Sequence, residues 1–167
     1  MNALLHHFER ELSDFSPKSG LLKALEMSEA LSHTYEYWSD KRGDRPAPLE
    51  SELCPHIDIP IAARQITLVD VETVGNGRRF QMRPRHRVRI GNGVSEYIDE
   101  RLSGSILDRT LEASNNVCDT GSAQFIIIDP TIDFPYFYCR LCVPVTRDGS
   151  AIDVQIHAVD VLKPYDR

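Results

Sequence analysis

Three runs near the C-terminus decide the fold: SAQFIIID (Ser122–Asp129), YFYCRLCVPV (Tyr136–Val145) and AIDVQIHAVDVL (Ala151–Leu162). Each is rich in β-branched and aromatic residues, and each is bounded by turn-forming ones. Pro130 closes the first run. Thr146-Arg-Asp-Gly-Ser150 joins the second to the third, and Asp-Gly between strand-like runs is a strong hairpin signal. The three therefore predict consecutive antiparallel strands.

Working outward toward the N-terminus, Asp119-Thr-Gly121 turns the chain into this run. Before it, Val94–Leu102 and Ile106–Val117 read as two short helices around Ser103-Gly104-Ser105. Two further strands precede these. One is Gln65–Thr73. The other comes in two pieces, Arg78–Arg83 and Arg85–Ile90, and Val74-Gly-Asn-Gly77 is the turn between the two strands. Pro84 cannot donate to a ladder, so it marks a bulge or an edge. Pro55 and Pro60 limit any helix in 49–64 to a turn or two. Residues 41–48, with two prolines and a glycine, form an extended connector. At the N-terminus, Leu5, Phe8, Leu12 and Phe15 mark one face of a short helix. A second helix, about 21–40, carries the stripe Leu21, Ala24, Leu25, Ser28, Leu31, Tyr35 and Trp38. That stripe packs either on its own domain or as a dimer seam across a two-fold axis.

The element order predicts an α+β fold: a five-stranded antiparallel sheet, short helices on one face and an N-terminal helical cap. Residues 1–40 form the helical cap and possible dimer seam, and 41–167 the sheet domain. A chain of 167 residues is long enough for one self-sufficient core. The net charge of −6 argues against nucleic-acid or acidic-membrane binding by the molecule as a whole. No apolar run approaches a membrane span, and Met1–Arg10 lacks the basic start and apolar core of a signal peptide. The expected location is the cytoplasm.

Cys139-x-x-Cys142 invites a zinc or redox reading. On a strand, positions three apart point to opposite faces, so the pair cannot converge on one ion. No second pair exists, and the expectation is no metal and four reduced cysteines: Cys54, Cys118, Cys139 and Cys142.

Several short motifs carry a family resemblance over about residues 35–162. They are Tyr37-Trp38, the Arg42-Gly43 to Pro46 connector, Ile57-Asp-Ile-Pro60, the strand Ile66–Val71, Arg87-Val-Arg-Ile-Gly-Asn92, Leu102-Ser-Gly104 and the Asp148-Gly149 hairpin. In this order they resemble the PAS domain family, in particular PAS-like proteins of alphaproteobacteria. Asn92 stands where that family has threonine, and Arg83-Pro-Arg-His86 looks like extra sequence within the second strand. The resemblance implies a sheet curled around short helices with a small interior cavity. It also implies a sensory or partner-docking role, with homodimers formed through N-terminal helices.

Phe125, Phe137, Leu141, Val154 and Ile156 are expected to form core or pocket wall. The pocket is expected between the strands and the helices at 94–117. Those helices hold no histidine for haem, and Asn116-Val-Cys118 lacks the continuation seen around flavin-binding cysteines, so no cofactor is expected. His157 shares a strand face with Asp153 and Gln155 and is expected to meet solvent.

Two other readings stand beside the sensor. Arg83, Arg85, Arg87 and Arg89 would share one strand face at intervals of about 6.7 Å. Such a row suits phosphates or a cyclic nucleotide second messenger. The pair Arg83 and Arg87 is similar to that of PilZ-type receptors, whose companion motif is missing here. The competing explanation for the row is a solvated face paired with Asp and Glu. Last, a small isomerase or hydrolase would draw on His56, Asp58, Asp70, Asp129 and Asp133, but nothing orients these as a catalytic group, and no enzyme is expected.

Overall fold

The computed structural model describes residues 28–84, 96–132 and 135–162. Along them run helices α1 (Glu29–Arg42), α2 (Pro55–Asp58), α3 (Ile98–Arg101) and α4 (Gly104–Thr120). The strands are β1 (Ile66–Val74), β2 (Gly77–Met82), β3 (Glu96–Tyr97), β4 (Gln124–Ile128), β5 (Phe137–Val145) and β6 (Val154–Leu162). They form one sheet in the order β3-β2-β1-β6-β5-β4, with every neighbouring pair antiparallel. The last three strands lie side by side, as the turn chemistry between them predicts. Gly149, at φ +85°, supplies the left-handed residue of the β5–β6 hairpin.

Among the described residues the sheet has six strands rather than five. Glu96 and Tyr97 pair with Met82 and Gln81 before the chain enters α3, where a helix from Val94 was expected. The second half of the expected second strand, Arg85–Ile90, lies outside the described residues, as do residues 1–27 with the first helix and the start of the stripe. The described part of that helix begins at Glu29. Ser28, buried with the stripe, is also its N-cap, with Oγ accepting from Leu31 N at 3.2 Å. At the far end of α4, Gly121 at φ +66° returns its N–H to Val117 O.

Helices cover both faces of the sheet, not one. On the first face, Ala30, Leu31 and Trp38 of α1 pack with Ile59 and Ala62 onto Ile66, Cys139, Leu141, Val143, Val145, Val154, Ile156 and Ala158. On the second face, α4 lays Ala113 and Val117 against Ile126 and Cys142, while Leu107 and Leu111 reach Val69, Phe80 and Ile98. Strand β5 is buried at every position after Phe137. Its nearly unbroken apolar run, FYCRLCVPV, reflects a strand covered on both sides.

Alternation separates the Cys139-x-x-Cys142 pair as expected. Cys139 belongs to the α1 side and Cys142 to the α4 side. All four cysteines are free thiols, and burial pushes Cys139 and Cys142 up to about 12. In the native protein at pH 8, a disulfide-exchange reagent is expected to modify exposed Cys54 at once. Cys139 and Cys142 should react only after denaturant is added, and a stopped-flow colour assay reads both phases.

Candidate functional site

The α4 side of the sheet holds a row of polar side chains that are buried and bonded to one another. Gln155, His157 and Arg140 are respectively 0%, 1% and 5% exposed. Strand register places Cys142 opposite His157 and Val159 opposite Arg140, so β5 and β6 bring these side chains together. Gln155 Nε2 donates to Ser114 O of α4 at 2.8 Å, with Cys118 Sγ at 3.2 Å. Gln155 Oε1 lies 2.8 Å from His157 Nε2, and His157 Nδ1 lies 2.9 Å from Arg140 Nη1. Arg140 Nε then donates to Tyr138 Oη at 2.8 Å.

Donor logic fixes the tautomer. A guanidinium only donates, so His157 Nδ1 is the acceptor and Nε2–H donates to the Gln155 carbonyl oxygen. The imidazole is neutral. Burial, and then the Arg140 charge, hold it well below its ordinary value of 6.5. Burial likewise raises the Tyr138 phenol and the Cys118 and Cys142 thiols, so none of these groups carries a compensating negative charge. Among the described residues no carboxylate comes within ion-pair distance of Arg140. One turn before Ser114 on the same buried face of α4, Thr110 Oγ1 has no hydrogen-bond partner.

The residues expected as core or pocket wall lie on the other face. Leu141, Val154 and Ile156 are fully buried against α1, and Phe125 and Phe137 pack at the margin of that same cluster. They form the core on the α1 side and do not line the α4 side. His157, expected to meet solvent, is one of the most buried side chains among the described residues. Its polar neighbours signify an internal network, because α4 covers a face that alternation alone presents as outward. Arg140 was overlooked, although a single charge inside FYCRLCVPV was a visible signal.

The arginine row is only partly described. Arg83 Nε and Nη2 grip Asp70 at 2.8 and 2.6 Å, and Nη1 bonds Glu50. Arg147 bonds Asp70 as well and lies 3.3 Å from Glu50 and 3.5 Å from Asp153. Two guanidiniums and three carboxylates leave this cluster net negative, so a phosphate at Arg83 would have to displace Asp70 and Glu50. Arg85, Arg87 and Arg89 lie outside the described residues. Of the acid–base candidates, His56 Nδ1 faces Ala63 O at 3.2 Å and Asp58 accepts from Tyr37 Oη at 2.8 Å. Among the described residues, no three of His, Cys, Asp and Glu gather as a metal site, and no helix is long and apolar enough to cross a membrane.

The Arg83 cluster predicts an acid response. Glu50 is lowered from 4.5, foremost by the Arg83 hydrogen bond. For Asp70 burial is the largest influence and acts upward, but the pull of Arg83 and Arg147 together leaves it below 3.8. Both carboxylates are thus depressed in the fold. Their stabilisation is complete above the unfolded values and is lost as pH falls through the folded ones. Urea midpoints taken from pH 6 to pH 3 are expected to fall less steeply below pH 4.5 in Arg83→Met than in the parent protein.

No protein-family model and no curated protein matches this chain. Among solved structures, it is similar to the ligand-binding domain of the Pseudomonas aeruginosa PAO1 amino acid chemoreceptor PctC in complex with GABA. The two are 14% identical, over 87% of this chain and 59% of that one, with a TM-score of 0.42. The chain thus spans less than two thirds of that structure.

Proposed function

We propose that this chain is a PAS-like sensory module that binds a small molecule on the α4 side of its sheet and passes occupancy to a partner. The observation that carries the reading is the bonded row Gln155–His157–Arg140–Tyr138, buried between sheet and helix. Polar groups in a core are costly unless satisfied, and a protein seeking stability alone fills such a face with apolar side chains. A row that fixes donors and acceptors in known tautomers is suited to orienting a ligand. The motifs from Tyr37 to Gly149 that resemble PAS domains support the same reading. The antiparallel sheet with helices packed on it agrees with it as well. The proposal includes no catalytic step and no cofactor, and it takes the homodimer through the N-terminal helices as the assembly.

Native mass spectrometry of the chain purified from its own host tests this directly. The expected spectrum shows a dimer that releases a small molecule on collisional activation. A bare chain, joined to no thermal stabilisation by any member of a broad metabolite set, would overturn the reading.

A further inference from the structure

We infer that the buried Arg140–His157 pair is an acid-sensitive latch: a proton on His157 releases α4 from the sheet while the α1 side stays packed. His157 Nδ1 lies 2.9 Å from Arg140 Nη1, and a guanidinium only donates. The imidazole has to accept there. A protonated ring would set donor against donor and cation against cation. Among the described residues, the groups around the ring offer no negative charge. Arg140, Tyr138 and Cys142 come from β5, Gln155 from β6, Thr67 is in register on β1, and α4 adds Ser114 and Cys118. Burial keeps the Tyr138 phenol and both thiols protonated. Asp153, just before β6, pairs with Arg147 instead.

A charged ring has to reach water, and two routes lead there. One unzips β6 from β5 along Phe137–Val145 and from β1 along Ile66–Asp70. The other lifts α4, which gives up far less. At the middle of the sheet α4 is held through Gln155 Nε2, donating to Ser114 O at 2.8 Å. Arg78 ties it at the exposed rim, to Asp119 at 2.7 Å and Asn115 at 3.5 Å, where ion pairs hold little. Thr110 Oγ1 is buried by the contact without a hydrogen-bond partner, a cost that opening recovers. The larger apolar cluster lies on the α1 side and is untouched by this movement. Closed, the ring is held well below 6.5; open, it takes its proton near that value. The open population therefore grows about tenfold per pH unit below it. The release needs no bound molecule, so it stands or falls apart from ligand binding.

The test uses the full chain and two thiols of one strand. Cys142 lies under α4 and Cys139 on the α1 side, both fully buried. The protein is labelled with N-ethylmaleimide at pH values from 7 to 5 and quenched. Trypsin cuts between the two thiols after Arg140, and fragment masses assign each label. The ratio of Cys142 to Cys139 labelling cancels the intrinsic pH dependence of thiol chemistry. It is expected to rise about 25-fold between pH 7 and pH 5. His157→Asn keeps an acceptor but takes no proton, and should hold the ratio level. Should that variant fail to fold, hydrogen exchange of the parent protein decides. Amides of α4 are then expected to lose protection from about pH 6.5 downward while those of α1 keep theirs. A parent ratio that does not move, an equal rise in His157→Asn, or α1 and α4 opening together would overturn the inference.

Discussion

Trp38→Ala is expected to lower the unfolding free energy by about 3–5 kcal/mol, the usual cost of truncating a large buried aromatic. Trp38 is 3% exposed and sits where α1 meets the sheet. Its indole also closes a gap in the ladder. Pairing between β4 and β5 ends at Cys142, and two residues further on the Pro144 carbonyl accepts from Trp38 Nε1 at 2.7 Å. Beyond that point the segment at Pro48–Glu50 takes over, with Thr146 N bonding Pro48 O and Glu50 N bonding Thr146 O. Alanine would therefore leave both a cavity and an unpaired buried carbonyl. Trp38→Phe separates the two: it keeps most of the apolar area and should lose only about 1–3 kcal/mol, largely the orphaned acceptor. Urea unfolding followed by far-ultraviolet circular dichroism measures both. A Trp38→Ala loss below about 1 kcal/mol would show that α1 is not part of the cooperative core.

His157→Leu is expected to cost about 2–4 kcal/mol at pH 8, since it strips a partner from Arg140 Nη1 and from Gln155 Oε1 inside the protein. The variant should also change the pH dependence. His157 is held below 6.5 in the fold, so the unfolded chain binds its proton first as pH drops. The stabilisation from this group is complete above 6.5 and is lost below it, at a limiting slope of about 1.4 kcal/mol per pH unit. The parent protein should thus weaken between pH 6.5 and 5, before Glu50 and Asp70 begin to titrate. His157→Leu should be flatter over that range. Equal slopes in the two proteins would mean that His157 titrates normally and the tautomer assigned here is wrong.

The parts of the fold legible in the sequence were those written locally. Asp148-Gly149 places β5 against β6, and period-two alternation alone puts Cys139 and Cys142 on opposite faces. What escaped depends on distant partners. Glu96–Tyr97 is two residues long, too short to leave a periodic trace, and becomes a strand only because β2 offers it an edge. Ser28 is buried as its place in the stripe implies, but its role as N-cap is not written in the spacing. Its hydroxyl decides the matter by bonding Leu31 N and donating to Asp160 at 2.6 Å.

The candidate site escaped for a related reason. Asp153, Gln155 and His157 spell a solvent face on an isolated strand, and only α4, packed over it from another part of the chain, reverses that meaning. The apolar residues expected as core or pocket wall are buried on the α1 side, the face that spacing alone could not assign to a helix. Hydrophobic spacing shows that a face is buried, but not which helix buries it.

Strand β5 is a party wall. Arg140 stands on one side of it and Leu141 and Val143 on the other, while Trp38 grips its backbone at Pro144, four residues from Arg140. A small shift at the guanidinium therefore has a route to the helix on the opposite side, along four residues of β5 and through the Trp38–Pro144 hydrogen bond. A strain applied on one face of the sheet thus reaches α1 on the other without either outer surface having to change shape.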